Sequence, residues 1–288
     1  MNPIALVPLF ALSASLGPAS PALPPAHTVP PVITVIATDF AFSLPSPGSV
    51  PAGPVTFRLI NRGKELHMMG IVWLGTHTMS EFFAAVQADS VFAGPYEVGG
   101  PNAVAPGDTS LATVILEPGH AALACWVVGE DGKMHVLKGM VAPLEVVPSR
   151  AARAAEPRTA TTITLQDYAI HLSGAPTPGR QLFRVENNGP AEHDVELFRL
   201  APGATMADID AWFEHPAKGS PRARPLGGMV GLDRGHHGWF TARLTPGDYV
   251  LLCLMPGEKN VPHYKGHGML TRFHVGAVAV HGGGEGER

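Results

Sequence analysis

Residues 121–141 read AALACWVVGEDGKMHVLKGMV, and residues 249–270 read YVLLCLMPGEKNVPHYKGHGML. Each stretch opens as a continuous apolar run, the pattern of a strand buried on both faces, and sets a cysteine inside it, Cys125 or Cys253. Nine residues then separate each cysteine from a histidine, His135 or His263. A Gly-Met pair follows, Gly139-Met140 or Gly268-Met269, ahead of another apolar stretch.

The likeness extends outward from these two stretches. Ile33-Thr34-Val35 with Asp39-Phe40-Ala41-Phe42 recurs as Ile163-Thr164-Leu165 with Asp167-Tyr168-Ala169-Ile170. Phe57-Arg58-Leu59-Ile60-Asn61-Arg62-Gly63 recurs as Phe183-Arg184-Val185-Glu186-Asn187-Asn188-Gly189, and His67 falls opposite His193 at an offset of 126. Gly99-Gly100, Pro118-Gly119, Cys125 and His135 recur at an offset of 128. This self-similarity predicts two domains, 32–147 and 160–276, joined by an Ala/Arg/Pro-rich linker at 148–159.

The chain of 288 residues is long enough for two cores, and its 45% apolar and 15% charged residues are a globular composition. The 33 Gly and 29 Pro are scattered between short apolar runs, as in an all-β fold with many turns. Strands are expected at 55–60 and 111–116, with one short helix per repeat near 79–87 and 206–213. The net charge of −4 without a basic stripe argues against nucleic-acid binding.

The N-terminus reads as a signal peptide over 1–22, with an apolar stretch at 4–12 and small residues at Ser20-Pro21-Ala22, although no Lys or Arg precedes Arg58. A flexible leader (23–31) and tail (277–288) complete the plan, and export to the periplasm or beyond the cell is expected. No later segment approaches 18 uninterrupted apolar residues, so no transmembrane span is expected. The two cysteines occupy equivalent places in separate repeats, which predicts free thiols rather than a disulfide.

Taken singly, a buried Cys is a small hydrophobe, a Gly-Met pair is core, and a lone His is structural. Taken as an ordered set that occurs twice, they point to a metal site in at least one half. Two imidazoles, a thiolate and a thioether are the ligand set of a blue-copper centre. The other histidines show no ligand spacing, and the other methionines read as packing residues.

An Asn/Gly turn leading to a His, followed by Cys…His…Gly-Met before a last strand, resembles the cupredoxin (type 1 blue-copper) family. The resemblance implies two tandem Greek-key β-sandwiches, one-electron transfer with a redox partner protein, and at most one copper per domain. It carries the ligands onto His67, Cys125, His135 and Met140 in the first domain, and onto His193, Cys253, His263 and Met269 in the second. Three departures stand out. The Cys-to-His interval is longer than in small cupredoxins. Met68 and Asp194 follow the first His where the family often has Asn. One extra residue lies between His263 and Met269, which makes His267 an alternative axial ligand and the first domain the expected better copper site. An electron carrier or copper-binding protein is favoured over an enzyme. A copper oxidoreductase of nitrite-reductase type needs three further histidines at a subunit interface. A multicopper oxidase needs His-x-His pairs, which are absent. A metal-free interaction scaffold is the third reading.

Overall fold

The computed structural model describes residues 29–44, 49–88, 94–149, 154–214 and 222–277; the predicted signal peptide and nearly all of the tail lie outside them. The first half holds β1 (Val32–Thr38), β2 (Ala41–Ser43), β3 (Ser49–Pro51), β4 (Gly53–Asn61), β5 (Gly70–Gly75), β6 (Tyr96–Glu97), β7 (Thr109–Leu116), β8 (Gly119–Ala124) and β9 (Val141–Val147). The second holds β10 (Thr162–Gln166), β11 (Ala169–Ser173), β12 (Gly179–Asn187), β13 (His193–Leu200), β14 (Ala223–Leu232), β15 (His237–Leu244), β16 (Gly247–Leu252) and β17 (Leu270–Val275). A helix stands in one long connection of each half: α1 (Met79–Gln87) and α2 (Met206–Glu214). Thr78 starts α1 with a capping box, its side chain and that of Glu81 each holding the other's backbone N–H.

Each half is a β-sandwich. In the first, β2-β1-β4-β7 pack against β3-β9-β8-β5-β6; in the second, β11-β10-β12-β15 pack against β14-β13-β16-β17. Alternation along the strands sets the faces: Phe183 and Val185 of β12 are buried while Arg184 and Glu186 point outward. One apolar core runs through both halves, from Phe57 and Leu59 to Phe183, Phe240 and Tyr249.

The halves are fused through a shared sheet. β7 pairs antiparallel with β15, giving the eight-stranded order β11-β10-β12-β15-β7-β4-β1-β2. Ala112 pairs with Phe240, its own repeat equivalent, so a local pseudo-two-fold axis passes through that pair. Beside it, the Asn102 amide donates to Gly228 O (3.3 Å) and the Val230 amide to Gly100 O (3.0 Å), two contacts that exchange under the repeat. The second glycine of each recurring Gly-Gly also answers to close packing inside its own half. A Cβ on Gly100 would lie 2.0 Å from Met69 O, and one on Gly228 2.0 Å from Val195 O. Only glycine lets these backbones approach so closely.

The register corrects one detail of the alignment. Thr34 pairs with Arg58 and Thr162 with Arg184, which sets Ile163 against Val35 rather than Ile33. The first strands therefore obey the same offset of 128 as the cysteines.

Candidate metal centre

The same local devices place both sites. Asn61 folds the chain after β4 into an Asx turn: its Oδ1 accepts from the Gly63 amide (2.9 Å), and its Nδ2 donates to Glu65 O (2.8 Å) and Val104 O (2.9 Å). Asn187 does the same after β12 with the Gly189 amide, Ala191 O and Leu232 O. These turns deliver His67 and His193. Cys125 and Cys253 follow β8 and β16. The Val136 amide donates to Cys125 O and the Tyr264 amide to Cys253 O, folding each loop back so that the second histidine reaches the cysteine.

In the first half His67, Cys125 and His135 converge, and in the second His193, Cys253 and His263; the ligand atoms of each group lie within 4.8 Å of one another, and all six residues are buried. His67 Nδ1 is 3.2 Å from His135 Nδ1, and Cys125 Sγ is 3.6 Å from His135 Nδ1. Cys253 Sγ is 3.8 Å from His193 Nδ1 and 3.6 Å from His263 Nδ1. For a trigonal ion about 2.0–2.1 Å from nitrogen and about 2.3 Å from sulfur, neighbouring ligand atoms stand about 3.5–3.8 Å apart. Three of these four separations meet that spacing, and the two nitrogens of the first site are slightly closer.

The far ring nitrogens fix the tautomers. His67 Nε2 meets Asp39 Oδ1 at 3.2 Å, His135 Nε2 meets Glu65 Oε2 at 3.0 Å, and His193 Nε2 meets Asp167 Oδ1 at 3.0 Å. A carboxylate on Nε2 keeps the proton there and leaves Nδ1 as a bare lone pair. In the first site two such lone pairs face each other beside a thiol. Burial lowers the pKa of His67, His135 and His263, so their neutral, metal-binding form is favoured. Burial pushes the Cys125 thiol up to about 12 and raises Cys253 well above the usual thiol range. A cation is the group that satisfies this donor set and displaces the thiol proton.

Asp39 and Asp167 were visible in the sequence only as part of a repeat. Both start a turn whose next residue is left-handed, Phe40 (φ 66°) and Tyr168 (φ 61°). Burial pushes Asp39 up, but the Lys64 and Glu65 amides donate to it and hold its carboxyl below the ordinary range. The Phe40 ring meets His135 edge-on at 5.2 Å, as Tyr168 meets His263.

Met140 and Met269 are buried and hold equivalent backbone positions. Each accepts the amide of its cysteine and donates its own amide to the carbonyl of its second histidine. The extra residue of the second loop is taken up locally. His135–Lys138 is a 3-10 turn ending at Gly139 (φ 99°), whereas His263–Gly266 is an α turn with Gly268 (φ 70°) restoring the chain direction. His267 stacks on Tyr168 at 3.7 Å between centroids and is not among the converging ligands. Cys125 and Cys253 are both free.

Asp194, the residue after His193, ties the second site together by accepting from the Leu254 amide at 2.6 Å. Asn102 of the first half donates to it at 3.4 Å. Met68, its counterpart, is a buried apolar residue.

No family model and no curated protein matches the chain. Among solved structures, the auracyanin of Roseiflexus castenholzii is 18% identical, covering 43% of this chain and all of its own, with a TM-score of 0.29. The blue copper oxidase of Nitrosomonas europaea is 15% identical over 85% of each chain at a TM-score of 0.24. The copper-containing nitrite reductase of Thermus scotoductus is 14% identical over 86% of this chain and 62% of its own at 0.25. The strand order and the ligand geometry, not these scores, carry the fold. With two Greek-key sandwiches in succession, each holding a His–Cys–His triad after equivalent strands, the chain is a pair of cupredoxin-like domains joined through one sheet.

Proposed function

We propose that the protein binds copper through these triads and carries single electrons. The observation that carries this reading is the convergence of His67 Nδ1, His135 Nδ1 and Cys125 Sγ, with both imidazoles anchored by carboxylates on the opposite nitrogen. Two imidazoles and a thiolate suit copper, which supplies a one-electron couple when bound. His67, Cys125 and His135 would hold one copper and His193, Cys253 and His263 the other, with the Met140 and Met269 thioethers as further ligands by family resemblance. The chain's own part is to hold these donors nearly fixed between oxidation states, to exclude water by burying all six side chains, and to keep the Nε2 protons on the imidazoles, which donate them to Asp39, Glu65 and Asp167. The apolar N-terminal stretch supports an exported protein, and the family resemblance implies a separate redox partner.

The first site is favoured on a ground other than loop length: both of its imidazoles have a carboxylate partner, whereas in the second only His193 has one among the described residues. Titration of the metal-free protein with Cu(II) tests the reading. An intense visible band should appear, bleach with one electron per bound copper and return on oxidation. A protein that binds copper without this band, or whose band does not cycle, contradicts it.

A further inference from the structure

The outer face of the shared sheet carries an open groove of about 440 Å³ across the junction of the halves. Arg58 of β4, Arg180 of β12, Arg224 of β14 and Arg243 of β15 line it, with Asp108 and Thr109 from the first half. Arg224 is paired with Asp108 at 2.7 Å. Arg58, Arg180 and Arg243 are exposed and have no acidic partner among the described residues. Arg180 and Arg243 are register partners on adjacent strands. Like charges set side by side this way cost stability, so the sheet alone does not explain them.

The pseudo-two-fold axis supplies a control within the molecule. It carries the row Arg58–Leu111–Thr241–Leu182 onto Arg184–Trp239–Thr113–Thr56. In that related position Arg184 lies over the Trp239 ring and is held by Glu186. Glu156, on the segment entering the second half, also reaches Arg184 (3.6 Å) and His237 (3.3 Å). The counterparts of Arg184 and His237 are Arg58 and Thr109, both in the groove. Thus one position is occupied by a carboxylate on a chain segment, and its mate is open. The counterparts of Arg180 and Arg243 are the uncharged Pro54 and Ile115, so the open position has gained cations.

We propose that this groove binds an extended, carboxylate-rich segment of a partner protein, which takes the place that Glu156 fills on the related side. Arg58 receives the equivalent carboxylate, and Arg180 and Arg243 receive the next ones along. Val104, at one wall, exchanges both backbone hydrogen bonds with His67. A bound segment therefore lies one ladder rung from a ligand of the first site.

The test uses the full chain and a fluorescein-labelled hexaglutamate peptide followed by anisotropy. Binding is expected at low ionic strength and should weaken steeply with salt. The double variant Arg180→Ala/Arg243→Ala should weaken it at least about 10-fold, with a thermal midpoint no lower than the parent's, because both side chains are exposed and their mutual repulsion is removed. Glu156→Gln, on the other side, should leave it unchanged. Three results would overturn the proposal: no binding at low salt, equal binding of a Gly-Ser peptide, or the same affinity in the double variant. Citrate or inorganic phosphate binding as tightly as the peptide would also overturn it, making the groove a small-anion site.

Discussion

Leu66, Met68 and Gly70 alternate through the segment that carries the first ligand histidine into β5; at the same places the second half has Glu192, Asp194 and Glu196. The backbone plan is shared, yet one strand start is apolar and the other carries three carboxylates. The reason lies across the junction. Residues 98–102 of the first half run along β14, and Asn102 and Ala103 present donors to β13: the Ala103 amide bonds Glu196 (3.0 Å), and Asn102 bonds Asp194 and Val195 O. Glu97 joins the group, accepting from Trp126 Nε1 at 2.6 Å, while its Oε2 and the Glu196 Oε1 have no hydrogen-bond partner among the described residues. Burial raises the pKa of Glu97, Glu192, Asp194 and Glu196, that of Glu192 to about 7. The two triads therefore share a geometry and differ in their surroundings. The first has carboxylates behind both imidazoles and the neutral Met68 beside its cysteine loop. The second has one such carboxylate and a buried Asp194 near Cys253, which adds to burial in opposing the thiolate.

The largest expected effect breaks the sites apart. Cys125→Ser should remove most of the intense visible absorption of the copper-loaded protein, and Cys253→Ser a smaller share; the reverse ranking would show that the carboxylate pair behind the first site does not decide. Next come the glycines. Gly100→Ala and Gly228→Ala each drive a Cβ into a carbonyl, which should cost about 3 kcal/mol or more in denaturant unfolding. Gly100 also has φ 155° and should be the worse of the two. A change below about 1 kcal/mol at both would mean that each glycine can draw back from Met69 or Val195 within its own half. Third, Glu65→Gln should lower copper affinity at the first site about 10–100-fold and leave the second unchanged, measured in the Cys253→Ser and Cys125→Ser backgrounds respectively.

The smallest effect concerns the acidic junction. A buried carboxyl with a raised folded pKa holds its proton in the folded state after the unfolded chain has released it. Its penalty is absent at low pH and grows as pH rises from about 4.5 through the folded value. Glu97→Gln removes this penalty and keeps an acceptor for Trp126. The variant should melt about 2–4 °C higher at pH 8, with the gain disappearing toward pH 4. A gain that is equal at both pH values would point to packing instead.

The order of ligand types and its recurrence were legible in the sequence because the fold needs each at a fixed strand end. The helices expected near 79–87 and 206–213 stand at Met79–Gln87 and Met206–Glu214. Three features were not. Asp39 and Asp167 recur, but only the folded chain shows a carboxylate 25 residues or more away meeting the imidazole. The shared sheet was hidden because β7 and β15 read as ordinary strands of separate domains, and their free edges are identified only by pairing. The extra residue before Met269 read as a distortion. Residue counting cannot tell that a 3-10 turn has widened to an α turn and left Met269 in Met140's place.

Elemental analysis of the full-length chain purified from its own host, with protein counted by amino-acid analysis, tests the central claim most directly. The account predicts two copper atoms per chain, falling to one in Cys125→Ser and to one in Cys253→Ser. Copper below one-tenth of an atom per chain after equilibration with Cu(II), or a copper content that neither cysteine variant lowers, would contradict it.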